Sequence, residues 1–268
     1  MVEAVKVEVR QLRSARTWIF YALFLLYPTV IGIAMMPAYE YTAPIDSFTL
    51  MTGTPVSIVF PLLLTGLYVF RFSGLLQNRY AFYARFRSGT GAFLSAHMVV
   101  NILVVGVLVF LSYVIAAVAA FLVLPHTAFL QNLVGYRPLP AGRVAEYTTS
   151  VETFTQLAAY GTWVYVLVFS LFVAVFSMAI ATASLGFTLL TRSRILGLSA
   201  TLVLFTVENF VLSYARVEQF RSVTAIFPGG IIQQSLWVPV IPLVAWVVLA
   251  GVLMWWARRS AERLDTLA

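Results

Sequence analysis

Few residues in this chain have the type and spacing to do chemistry. The only histidines are His97 and His126. They fall at opposite ends of one long apolar run, so neither a histidine pair for zinc nor an HExxH helix is present. Lys6 is the only lysine. That excludes a phosphate-binding GxxxxGK[ST] loop, whose lysine must meet the phosphates, and a serine-lysine dyad within a span. There is no cysteine, hence no disulfide, thiolate metal site or cysteine nucleophile. Two polar pairs remain inside apolar text. His97 and Asn101, four apart on one helix face, suit either a ligand or, more commonly, hydrogen bonds between helices. Glu208 is the one acid well inside a hydrophobic run, with Asn209 beside it and Thr201 one heptad back. A carboxyl at mid-bilayer costs about 2.5 kcal/mol or more, so such a group faces protein or water. Glu208 is therefore expected to line a translocation cavity, to be hydrated from the outer side, or to pair with Arg216 or Arg221.

The elements that must hold these groups are membrane helices. The chain of 268 residues is 61% hydrophobic and 10% charged, and a soluble domain of that composition could not keep its surface wet. Six runs are long enough, or nearly so, to cross about 30 Å of hydrocarbon: 18–36, 56–70 with its flanks, 96–124, 161–190, 195–214 and 238–256. An even number of spans puts Lys6, Arg10, Arg13, Arg16, Arg71, Arg79, Arg85, Arg87, Arg192, Arg194, Arg258, Arg259 and Arg263 on one side. The other side keeps Arg137, Arg143, Arg216 and Arg221, together with Glu40, Asp46, Glu146, Glu152 and Glu218. The positive-inside rule then predicts a multi-pass membrane protein with both termini cytoplasmic, and a prokaryotic cytoplasmic membrane is the location expected for it. The net charge of +7 is accounted for by arginines that flank spans and meet anionic lipid; it implies no nucleic acid. Sixteen mixed and charged residues precede the first apolar run and no small-residue cleavage site follows it, so span one is expected to stay in the mature protein.

Within this single transmembrane domain, residues 1–16 place Val2, Val5, Val9 and Leu12 at helical spacing, with Glu3, Lys6, Arg10 and Arg13 one position on. The pattern predicts an amphipathic helix along the inner surface. Pro28 lies in the middle of span one and predicts a kink that neighbouring helices must cover. Residues 71–95 are basic, aromatic and amphipathic, which predicts a short cytoplasmic helix and turn. The 125–157 connection is too polar for membrane and forms an outer loop. Ser170, Ala174, Ser177, Ala181 and Ser184 make a small-residue stripe for close helix approach, within one subunit or across a dimer. The half-polar segment 215–237, broken at Pro228-Gly229-Gly230, predicts short helices dipping back into the outer leaflet. Trp255 and Trp256 beside Arg258 and Arg259 form an inner anchor.

This layout resembles the type 2 ATP-binding-cassette export permeases, over nearly the whole chain and in architecture more than in letters. EVRQLRSARTWIF looks like that family's N-terminal interfacial helix. NRYAFYARFRSGTGAFLSAHMVVN sits where the family has the coupling helix between spans two and three. AIFPGGIIQQSLW is similar to its re-entrant segment between spans five and six. The resemblance implies a six-helix all-α subunit with no catalytic residue of its own. It also implies dimerisation with the same or a related chain and ATP and Mg on a separate cytoplasmic ATPase. Its coupling residues would be Arg79, Tyr83, Arg85, Arg87 and Gly89, and Glu208 and Asn209 would stand on the translocation path. Two departures stand out: the coupling region has no acid between Arg71 and Arg87, and the loop after span three is longer than the family's short turn. The alternatives are a secondary transporter, which two opposed three-span halves permit, and a non-catalytic membrane assembly or immunity protein.

Overall fold

The computed structural model describes residues 2–12, 14–53, 57–77, 90–191, 193–229 and 231–265. Among the described residues the chain is helical, with one isolated bridge between Tyr41 and Tyr136 and no strand. Helix α1 is Val2–Gln11, α2 Ala15–Met35, α3 Pro44–Gly53, α4 Phe60–Leu67 and α5 Val69–Gln77. Helix α6, Thr90–Val118, continues as a π-helical turn, Ala119–Val123. Then come α7 Ala128–Gln131, α8 Ala141–Ser150, α9 Thr162–Thr191, α10 Arg194–Tyr214, α11 Ser222–Ile226 and α12 Val240–Asp265. Serines start two of the long helices: Ser14 Oγ accepts the Thr17 N–H at 3.3 Å and Ser193 Oγ the Leu196 N–H at 3.4 Å.

Five helices are long and apolar enough to cross a membrane, within Ala15–Ala38, Gly91–His126, Thr162–Thr191, Ile195–Tyr214 and Val240–Ser260. The run expected as a second span differs. It is two short helices, α4 and α5, separated at Tyr68, where φ is −138° and ψ −46°. A break in the helical ladder exposes a carbonyl that lipid cannot satisfy. Here the Tyr21 hydroxyl of α2 donates to the freed Leu67 carbonyl at 3.2 Å. The broken pair reaches toward both ends of the bundle. Phe60 packs edge-on against Phe227 at 5.2 Å, and Phe72 stands 6.4 Å from Phe93 at the start of α6.

Contacts define the two ends. At one, Leu12 of α1 clusters with Phe72, Phe93, Leu185 and Met254, and Arg258 donates to Ser95 at 3.1 Å. Thus α1, the start of α6, the end of α9 and the end of α12 lie together. At the other, the connections after α2, α6 and α10 are stitched to one another. Tyr41 and Gly135 share a 2.8 Å backbone bond, and Gln233 donates to the Thr149 carbonyl at 2.7 Å. Only glycine fits at 135, because a Cβ there would lie 2.2 Å from the Tyr39 carbonyl oxygen.

Helix α9 is the hub: 61% of its apolar window is buried, against 17% for α10, which therefore faces outward. In lipid, helices gain little from hiding apolar surface from each other, so close packing and hydrogen bonds must hold them. The stripe Ser170, Ala174, Ser177, Ala181 and Ser184 is wholly buried within the subunit. Ser184 donates to the Gly197 carbonyl of α10 at 3.2 Å, and Gly197 itself lies against Thr188.

Helix α1 presents part of the face its pattern predicts. Val9 is 45% exposed, while Leu12 and the charged Glu8 are buried and Val5 packs on the same cluster. Glu8 shares the buried face and stands 3.7 Å from His97, and Val9 is the stripe residue turned outward.

Candidate functional site

Two polar sites lie at opposite ends of the bundle. The first gathers at the α1 end. The break at Tyr68 turns its hydroxyl onto His97 Nδ1 at 2.5 Å, and Glu8 Oε2 stands 3.7 Å from the same nitrogen. Phe93 and Phe72 box the imidazole at 4.3 and 4.6 Å. Glu8, Tyr68, His97 and Asn101 are all nearly inaccessible. Burial raises the Glu8 carboxyl above the ordinary carboxylate range, and the nearby Arg71 opposes the rise. Of the predicted pair, His97 makes a hydrogen bond between elements. Asn101 is enclosed with no hydrogen-bond partner among the described residues.

The second site is a cavity of about 780 Å³ at the loop-rich end, lined among others by Tyr41, Asp46, Thr49, Tyr147, Glu152 and Arg221. Asp46 sits in the first turn of α3, behind Pro44, in the position where an acid can cap a helix. Its Oδ2 accepts from the Thr42 and Ala43 N–H groups and the Thr42 hydroxyl at 2.8 to 3.0 Å, and its Oδ1 accepts from the Tyr147 hydroxyl at 2.9 Å. Asp46 is thus a tie between α3 and α8. Glu152 follows α8 and is 4% exposed. Burial pushes its carboxyl up to about 7, with the Thr49 hydroxyl lowering it and the Asp46 charge raising it further.

The backbone around Glu152 is tightly specified. Phe154 adopts φ +78°, a left-handed conformation costly for a phenylalanine, and its ring packs on Phe172 at 4.8 Å. Gln233 donates to the Glu152 carbonyl at 2.9 Å, and a Cβ at Gly229 would come within 3.0 Å of Glu152 Oε1. Side chain and main chain of Glu152 are therefore both fixed by the segment that follows α10.

Glu208 and Asn209 hold that segment. Glu208 Oε1 accepts the Ser222 N–H at 3.0 Å, and Asn209 Oδ1 accepts the Val223 N–H at 2.9 Å. Both N–H groups start α11 and would otherwise lack helical partners. Trp246 Nε1 of α12 donates to the Ser222 hydroxyl at 2.8 Å from the other side. The ion pair expected for Glu208 is made elsewhere, Arg221 lying 3.5 Å from Glu218. The cavity wall includes Arg221, Val223 and Thr224, which Glu208 and Asn209 position. The segment expected to be re-entrant holds one five-residue helix, α11, after a 3-10 turn, Glu218–Phe220.

The coupling residues Arg79, Tyr83, Arg85, Arg87 and Gly89 lie outside the described residues. No group of three or more His, Cys, Asp or Glu suited to a metal occurs among the described residues. Sequence reasoning missed Glu152 and Tyr41 as site residues. Asp46 had a signal, the proline and acid that open a helix, whereas Glu152 is brought to the cavity only by tertiary folding. Comparison with protein-family models, with curated proteins and with solved structures finds no match to this chain.

Proposed function

We propose that this chain is the membrane-spanning permease subunit of an ATP-driven exporter of the type 2 ATP-binding-cassette class. It works with a second permease subunit, the same chain or a related one. Separate cytoplasmic ATPases carry ATP and Mg, and the cytoplasmic membrane of a prokaryote is its place. The observation that carries the reading is the α4–α5 pair. With Phe60 on Phe227 at one end and Phe72 on Phe93 at the other, it acts as a sixth, broken span. Six crossings leave α1, the segment 71–95 and the end of α12 together on the arginine-rich cytoplasmic side. There an ATPase would push on the 71–95 segment, and α1, packed on α6, would feel the displacement. The 215–237 segment and the 125–157 loop then form the outer cap, with Glu208 and Asn209 as its hinge supports. The test is purification of the tagged chain from its native membrane. Copurification of an ATPase whose hydrolysis responds to this subunit supports the reading; a chain that purifies alone and moves cargo without ATP overturns it.

One observation favours a second reading, a proton-coupled secondary transporter. Buried titratable groups stand at both ends of the bundle, Glu8 and His97 at one and Glu152 at the other. Transport that follows a proton gradient without nucleotide would select it.

A further inference from the structure

We infer that the cavity at the loop-rich end is a binding site for an organic cation, a primary ammonium carried on an aromatic body. The inference does not depend on an ATPase partner or on the direction of transport. Its volume, about 780 Å³, is in the range of small-molecule sites.

Its charge is unbalanced toward acid. Glu40, Asp46, Glu152 and Arg221 line it. Glu40 meets Arg137 at 3.8 Å, but both side chains are more than 70% exposed, at 71% and 73%, and water screens the pair. Arg221 is engaged by Glu218. The oxygens of Asp46 are already taken by four donors. Glu152 is in none of the ion pairs formed among the described residues. At 4% exposure it is an enclosed carboxylate with no cationic side chain within 4 Å among the described residues.

A second, independent observation comes from Tyr41. It lines the same cavity at 1% exposure, and its hydroxyl has no hydrogen-bond partner among the described residues. Burying a hydroxyl unpaired is costly, and a bound donor or acceptor removes that cost. The groups facing the Glu152 carboxyl are Asp46 and Thr49 from α3, Tyr147 from α8 and Tyr165 from α9, and Arg221 stands elsewhere on the cavity wall beside Glu218. An ammonium suits this set: it neutralises Glu152 and donates to it. Tyr39, Tyr41, Tyr147 and Phe227 contribute aromatic side chains to the cavity wall, a lining that suits a cation on an aromatic body. A divalent metal suits it less, because hard cations require six or more oxygens and Asp46 has none free.

The test is calorimetry on the full chain in phosphatidylcholine nanodiscs above neutral pH, with empty discs subtracted. Tyramine is the probe, and 4-ethylphenol is its counterpart without the amine. Saturable tyramine binding at one site per chain, with 4-ethylphenol at least about tenfold weaker, is the expected result. Glu152→Gln weakens tyramine about tenfold and Tyr41→Phe weakens it severalfold, with unchanged helical circular dichroism. Equal binding of the two probes overturns the proposal, as does displacement of tyramine by calcium or no tyramine binding at millimolar concentration. Should Glu152→Gln fail to fold, the comparison of probes on the unmodified chain and Tyr41→Phe decide the matter.

Discussion

The Ser112 hydroxyl of α6 reaches the Phe24 carbonyl of α2 at 3.4 Å, and that carbonyl is the one Pro28 leaves without its helical partner. The neighbouring Leu25 carbonyl lies at 3.2 Å from the same hydroxyl. A proline inside a membrane helix is thus repaired by a serine on the next helix. Ser112→Ala is expected to destabilise the protein by about 0.6–1 kcal/mol in detergent unfolding. In a Pro28→Ala background the helix regains its own bond, and the same serine change costs less. Equal costs in both backgrounds would contradict the repair.

Glu208 acts through an acceptor oxygen on the Ser222 N–H and is in none of the ion pairs formed among the described residues. Glu208→Gln keeps that oxygen and is expected to leave the start of α11 protected in hydrogen exchange. Glu208→Ala exposes the Ser222 amide to faster exchange, and Asn209→Ala does the same to the Val223 amide. On the opposite face, Trp246→Phe and Ser222→Ala remove the two sides of one hydrogen bond. Their double-mutant cycle is expected to show coupling of about 0.5–1 kcal/mol, and additivity would contradict the bond.

The Glu152 carboxyl is held up at about 7, above its ordinary value of 4.5. Between these pH values the folded protein binds more protons than the unfolded chain, so stability falls as pH rises through this window. The contribution is fully present below about 4.5 and is lost above about 7, at roughly 3 kcal/mol in total. Melting curves from pH 4 to 8, about that window, should show this slope in the natural protein and its absence in Glu152→Gln. Identical pH profiles would contradict the burial of this carboxyl.

Two glycines in helices make opposite predictions. A Cβ at Gly197 would lie 2.1 Å from Thr188 Oγ1 and 2.6 Å from Thr188 Cα, whereas one at Gly74 meets nothing within 4 Å. Gly197→Ala should separate α9 from α10 and cost about 1–3 kcal/mol. Gly74→Ala should be neutral or stabilise by up to about 1 kcal/mol through lower backbone entropy. Thermal unfolding of the two variants side by side tests both.

Hydropathy made the long helices legible, because a run such as 161–190 in α9 needs only composition to declare itself. The break at Tyr68 was not legible, since Pro61 marks the start of α4 and nothing in the local text marks its end. Tyr68 breaks the helix where Tyr21 and His97, 47 and 29 positions away, take up the exposed groups. Glu208 and Asn209 were visible as costly polar groups, yet their partners are main-chain N–H groups, which carry no letter in a sequence. The burial of Glu8 was not legible for a related reason: Glu8 looks like a surface charge until the fold brings His97 beside it. Glu152 escaped notice because an acid in a polar loop is ordinary, and only the return of Gln233 and Gly229 encloses it.

The central claim is an even number of crossings, with α4 and α5 as one broken span, and the absence of native cysteine makes its test direct. Arg10, Ser150, Ser235 and Arg259 are exposed, so single cysteines there should disturb little. In intact cells, Ser150→Cys and Ser235→Cys are predicted to react with an impermeant thiol reagent. Arg10→Cys and Arg259→Cys are predicted to be shielded until the membrane is opened. Reaction of Arg259→Cys from outside while Arg10→Cys stays shielded would mean five crossings, and would contradict the topology and the transport reading that rests on it.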